Sequence, residues 1–375
     1  MPTIRWTENG SARTAPWHSE NAAPPPAEVV VVDDRTTAKS AYRLARAGTG
    51  LLWRGDFHNA RQLMRAMERL FDRRRRKAPV GDDPATLFLA HRAERAERAD
   101  LLGKLLVRLE PDHSLDLRRA PDVRAACAHA YGSAAGEMCV SLPELLGVLS
   151  AYQWHQKGVE VAALGARVFP DYGVFSPIRG EYIDLVARAP WPTGVAEPRV
   201  FDLGTGTGVL AAVLARRGAQ VVATDINRRA VACARTNSDR LGLADRVRVV
   251  EADLWTSGRA DVVLCNPPWI PARPTSDLEL GVYDADSGML HRFLDGLTEH
   301  LTPRGEGWLV LSDLAEHLGL RTRAELLARI DNAGLRIVAR DDTSPRHPRA
   351  ADVTDPLHAA RSQEVTSLWR LAAQN

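Results

Sequence analysis

Cysteine is scarce in this chain. There are four in 375 residues, Cys127, Cys139, Cys233 and Cys265, and no two form a CxxC pair. That spacing argues against a zinc ribbon or a disulfide framework and for a reducing compartment. Long apolar runs are missing too: none approaches the roughly 20 residues a membrane helix needs. The opening MPTIRWTENG has no apolar core of the signal-peptide kind. Together these absences lead us to expect a cytoplasmic protein with no membrane partner. Excess charge is also lacking, since 49 basic residues face 47 acidic ones for a formal net charge of +2. Global charge therefore does not call for nucleic acid. His91, His129, His155 and His291 have no ligand-like spacing, and no metal is expected.

What is present suits a soluble globular chain, with 45% hydrophobic and 26% charged residues. The length allows two domains. Residues 1–35, with SENAAPPPAE and little periodicity, read as a flexible tail. Residues 36–168 read as a mainly helical domain. In NARQLMRAMERLFDRR, Leu63, Met67 and Leu70 form one stripe, with Asn59 as N-cap. SLPELLGVLSAYQWHQKG reads as a second helix capped by Ser141 and stopped at Gly158. Residues 73–77 are a basic run, which fits an RNA phosphate face or, as we favour, a solvated helix end.

From residue 169 to 375 the character changes. Short β-branched runs (RVFDL, AQVVATD, RVRVVEAD, ADVVLCN, EGWLVLSD) alternate with helical stretches, and two strands, LRIVARDD and EVTSLWRLA, close the sequence without an intervening helix. This alternation predicts a doubly wound, mostly parallel seven-stranded α/β sheet with an antiparallel edge hairpin.

Two motifs sit at strand ends in that frame. FDLGTGTGVLAAVLA puts Gly204, Gly206 and Gly208 between a strand and a helix, where glycine permits positive φ and close ligand approach. The pattern is GxGxG; the dinucleotide form would need glycine where Val209 stands. Asp225 ends the next strand about 20 residues on, placed to hold ribose hydroxyls. Asp253 ends the third and can face an adenine amino group. The second motif, CNPPWIP, follows the apolar run Val262-Val263-Leu264. A dehydrogenase has no use for it; an enzyme that methylates a planar nitrogen does. The Asn266 side-chain oxygen and the Pro267 carbonyl can each accept one N–H of an NH2 group. Pro268 stiffens the turn, and Trp269 can stack on a planar acceptor.

These residues resemble the class I S-adenosylmethionine (SAM) dependent methyltransferases. The likeness is greatest to the group of protein-(glutamine-N5) and rRNA or tRNA base N-methyltransferases, and covers residues 170–375. The resemblance implies SAM as cofactor and S-adenosylhomocysteine as product. It implies a binding set of Asp202, Gly204, Thr205, Gly206, Thr207, Gly208, Asp225, Ile226, Asp253, Leu254 and Asn266, and an acceptor clamp of Asn266, Pro267 and Trp269. GVFSPIRGEYIDLV resembles the stretch that covers the cofactor and implicates Phe175, Pro177 and Glu181. VYDADSGMLHRFL resembles the family's lid. The acceptor would be a protein amide, an RNA or DNA base, or a small molecule, chosen by residues 36–168. Alternatives are a SAM-binding regulatory or scaffold protein without turnover, or an O- or C-methyltransferase of a small molecule. Ser312 and Asp313, beyond a parallel strand, are candidate substrate contacts.

Overall fold

An Asn-Gly pair inside TIRWTENGSARTAP turns the chain back on itself almost at once. Asn9 and Gly10 both take positive φ, 50° and 75°, the geometry that a two-residue hairpin requires. Strands β1 (Thr3–Glu8) and β2 (Ser11–Pro16) pair antiparallel across it. The structure, a computed structural model, describes residues 1–74, 83–275, 278–345, 352, 353 and 355–374. Residues 75–77 of the basic run lie outside these. The expectation of a flexible tail fails at this hairpin. Ile4, Trp6, Ala15 and Trp17 alternate onto one face and are buried with Val29, Leu52, Leu106 and Cys139 in one core.

The chain divides into two compact units, one of Met1–Asp82 and Leu89–Gln153, the other of Asp83–Phe88 and Trp154–Asn375. The first holds β3 (Val29–Val32), α1 (Ala38–Arg46), β4 (Gly50–Trp53), α2 (Phe57–Arg74), most of α3 (Pro84–Gly103), β5 (Leu105–Leu109), α4 (Arg124–Tyr131), β6 (Met138–Ser141) and most of α5 (Leu142–Lys157), in that order; the start of α3 and the end of α5 fall in the second. The strands form a sheet ordered β3-β4-β5-β6, parallel except for β6. The expected mainly helical domain is thus α/β. Its strands are four- or five-residue apolar runs such as VVVV and GLLW, which carry no alternation to reveal them. The start of α2 also differs: Asp56, not Asn59, caps it, accepting from the His58 amide at 2.9 Å, while Asn59 donates to Asp34. Ser141 does cap α5, its hydroxyl accepting from the Glu144 amide.

The second unit opens with a small hairpin, β7 (Val159–Val161) and β8 (Ala166–Val168), and helix α6 (Glu181–Arg188). Then come β9 (Arg199–Leu203), α7 (Val209–Arg216), β10 (Gln220–Asp225), α8 (Arg228–Arg240), β11 (Val247–Glu251) and β12 (Ala260–Cys265). The rest is α9 (Gly288–His300), β13 (Leu301–Ser312), α10 (Leu314–His317), α11 (Arg323–Asn332), β14 (Leu335–Thr343), α12 (His358–Arg361) and β15 (Thr366–Ala373). Seven strands form one mixed sheet in the order β11-β10-β9-β12-β13-β15-β14. Successive residues of β12 go to opposite cores: Val262 and Leu264 to one, Val263 and Cys265 to the other. Both faces being covered, the strand reads as one apolar run.

The expected antiparallel pair is present, with a difference. β15 pairs antiparallel to β14 and also to β13, so it lies inside the sheet and β14 takes the edge. A short helix, α12, separates the two in sequence.

Candidate active site

The chain order reverses between β9 and β12, which pair in parallel while their successors run to opposite sides. In doubly wound sheets, ligands bind at such a switch point, beyond the carboxyl ends of the strands. Leu203 and Cys265 are register partners there, so the loop that begins at Gly204 and the loop that begins at Asn266 are neighbours.

The first loop is held from below. Amides of Gly204 and Thr205 both donate to the Thr224 carbonyl at 2.9 Å. Asp202, 2% exposed, accepts from the Thr205 hydroxyl at 2.6 Å and from the Ala211 amide at 3.1 Å. Burial raises its carboxyl to about 6, partly opposed by those two hydrogen bonds. Gly204 and Gly208 take positive φ, which disfavours any other residue, and Gly208 is crowded by backbone as well. At Gly204, φ is 71° and a Cβ would lie 2.6 Å from the Met289 methyl; at Gly208, φ is 79° and a Cβ would meet the Ala234 backbone at 3.2 Å. Gly206 differs, since a Cβ there would meet nothing within 4 Å. Its neighbours Thr205 and Thr207 are buried.

Asp225 ties the second strand end to the loop. One carboxylate oxygen accepts from the Gly206 amide at 2.9 Å and the other from the Asn227 amide at 2.9 Å. Burial pushes its carboxyl up, against those bonds. Each oxygen keeps a lone pair for a further donor. Ile226 beside it is 67% exposed, an apolar face next to an acceptor pair. Open space over Gly206, spare acceptors on Asp225 and the exposed Ile226 together fit an adenosyl group.

Asp253 and Leu254 behave differently from expectation. The Asp253 carboxylate is paired with Arg292 of α9 at 3.0 Å. Leu254 turns inward at φ 75°, its side chain buried and its carbonyl accepting from the Thr224 hydroxyl.

Within the second loop, Asn266 and Trp269 are half-buried and Pro267 is buried. The Trp269 indole N–H donates to Asn266 Oδ1 at 2.8 Å. The loop continues into the expected lid. Ile270 bridges to Tyr283, and the Asp284 amide donates to the Ile270 carbonyl. The following turn carries Asp286 and Ser287 at positive φ before α9 begins.

Of the covering stretch, Phe175 is 40% exposed and Pro177 is buried. Phe175 packs where a Cβ on Gly281 would sit, 3.1 Å away. Glu181 is 5% exposed and accepts from Arg179 at 3.0 Å. Ser312 is buried: it donates to Glu364 at 2.7 Å and accepts from the Leu314 amide, so it is committed to the structure and is no substrate contact. Asp313 likewise accepts from the Val365 amide at 2.7 Å. Sequence reasoning passed over Arg179, Tyr182, Arg292 and Glu364. Only Arg179 carried a signal, as the one cation in the covering stretch GVFSPIRGEYIDLV.

Residues 185–327 match the family model of the "Methyltransferase small domain". That stretch contains the glycine loop and Asp225, so the likeness to methyltransferases is borne out there; residues 266–269 also fall within it, and their role as an acceptor motif is proposed below. Among relatives, the release factor glutamine methyltransferase of Bordetella pertussis is 34% identical over 170 residues, 39% of this chain and 61% of that one. Its counterpart from Chlorobaculum tepidum is 40% identical over 91 residues, 22% and 31% respectively. The tRNA1(Val) (adenine(37)-N6)-methyltransferase of Shewanella amazonensis is 28% identical over 221 residues, 53% and 93%. The chain therefore spans less than two thirds of both release-factor enzymes. No helix among the described residues is long and apolar enough to cross a membrane.

Proposed function

We propose that the chain is a SAM-dependent N-methyltransferase acting on a planar amide or amine nitrogen. One observation carries this reading: a ribose-type acceptor pair on Asp225 and an Asn-Pro acceptor pair at residues 266 and 267 end strands on either side of β9. SAM, when bound, supplies a methyl group on a cationic sulfur. The protein's own contribution is alignment. Asp225 would take the ribose hydroxyls, Ile226 would lie against the adenine, and Asp253, once released from Arg292, or the nearby backbone would meet its amino group. Asn266 Oδ1 and the Pro267 carbonyl accept the two N–H bonds of the acceptor and turn its nitrogen toward the methyl. Such orientation can supply about 7–11 kcal/mol of a barrier. Phe175 and Pro177 cover the cofactor.

Relatives named for glutamine and for adenine N6 support the nitrogen assignment, because both groups present a planar NH2. We assign acceptor choice to the unit of Met1–Asp82 and Leu89–Gln153, which lies outside the matched stretch. Calorimetry with SAM and with NAD is the first test; heat from NAD alone would end the methyltransferase reading. The acceptor is then found by incubation with tritiated SAM and fractionated lysate, treated separately with RNase and with protease.

A further inference from the structure

Trp269 stands where stacking on the acceptor is the expected role, yet its surroundings suit a different one. Its indole N–H is spent on Asn266 Oδ1 at 2.8 Å. The Arg179 guanidinium lies over its ring, 5.1 Å from the centroid. The buried Tyr182 presents its ring edge-on, at 6.3 Å and 90°. The indole also packs against core residues on both sides of the sheet. Arg179 is fixed in turn by two acids, its near neighbour Glu181 at 3.0 Å and the sequence-distant Glu364 at 2.9 Å. Those acids are 5% and 4% exposed, and Glu364 is anchored again by the Ser312 hydroxyl.

We infer that Trp269 is a positioning residue, which acts by fixing the Asn266 amide through its indole N–H, and that Arg179, clamped by Glu181 and Glu364, holds the indole in place. The inference rests on the proposed role of Asn266. An unrestrained asparagine amide can rotate and present either its oxygen or its NH2. An NH2 group facing the acceptor would repel the N–H bonds it has to receive. The indole N–H removes that choice, because only the oxygen can accept it. The oxygen keeps a second lone pair for the acceptor nitrogen. The donor is specific to tryptophan at this position: phenylalanine would keep a flat face but offer no N–H. Stacking alone would make phenylalanine a good substitute; positioning makes it a poor one.

The test uses the full chain and has two readouts. In 1H–15N spectra, the Trp269 indole resonance is identified by its loss in Trp269→Phe. It should move upfield in Asn266→Ala and return downfield in Asn266→Asp, which restores an acceptor. Arg179→Gln should broaden or split it. An indole resonance that ignores both Asn266 variants overturns the proposal, and this arm needs no acceptor. For the second readout, tritium transfer from labelled SAM is followed into whichever lysate fraction the wild type labels. Trp269→Phe should lose at least about tenfold in kcat, while its affinity for S-adenosylhomocysteine stays unchanged and reports an intact fold. Wild-type kcat in Trp269→Phe also overturns the proposal. No transfer by the wild type itself would instead strike the proposed function and leave the indole shifts to judge the pair.

Discussion

Asn266 bears the chemistry in this reading, so its removal is the most direct probe at the scale of single residues. Asn266→Ala should lower turnover on the order of 10²-fold, as loss of a preorganised polar group does elsewhere, with little change in SAM affinity. Steady-state kinetics beside calorimetry separates the two; near-wild-type kcat would sink the clamp. Asp225→Ala should do the reverse and weaken SAM binding, as calorimetry would register. Because Asp225 also holds the Gly206 amide, the loop should loosen in that variant as well. Asp202 gives a pH dependence. Its carboxyl rises from 3.8 to about 6 on folding, so the native state binds that proton more tightly than the unfolded chain. The resulting stabilisation is complete below about pH 4 and is lost as pH climbs through 6. At 1.36 kcal/mol per unit, the swing is about 3 kcal/mol. Urea unfolding at pH 4 to 7 should show that decline in the wild type and a flatter curve in Asp202→Asn. Parallel curves would mean that another group is responsible.

Elements differ in how plainly the sequence announces them. Strands β9, β10 and β12 were readable because each apolar run ends in or beside a residue with a task, such as Asp225 or Asn266, and a helix comes next in the chain; β11 leads straight into β12 and was read from its own β-branched run. The hairpin β1–β2 was equally readable, from its Asn-Gly turn and the alternating Ile4 and Trp6, but the proline-rich stretch after it suggested a tail. Strands β3 to β6 were not readable, since a four-residue run buried on both faces looks the same as a piece of buried helix. At the site, sequence showed the residues but not their pairing. Nothing in NPPW says that the tryptophan bonds back to the asparagine, and nothing local connects Arg179 to Glu364, 185 residues away. The hairpin makes a prediction of its own. Trp6, 5% exposed, belongs to the core that Leu52 and Leu106 share. Trp6→Ala should therefore cost about 3–5 kcal/mol, measured by denaturant unfolding. A flexible tail would predict almost no change.

At the scale of the molecule, cofactor binding should register as stability. S-adenosylhomocysteine at a hundred times its Kd should add about 2.7 kcal/mol to the unfolding free energy of the unit that binds it. Thermal melts with the nucleoside and with NAD check this, and only the former should shift the transition. The sheet order of that unit also matters while the chain is being made. β15 emerges from the ribosome after β14, yet it is the strand that both β13 and β14 pair with. Until residues 366–373 appear, β13 waits with Leu309 and Leu311 in place but one row of amides and carbonyls unpaired. An open apolar edge of this kind invites pairing with another chain. Newborn copies crowded on one messenger should therefore be most vulnerable to each other just before this strand arrives, and any factor that guards the nascent protein has its most useful moment then.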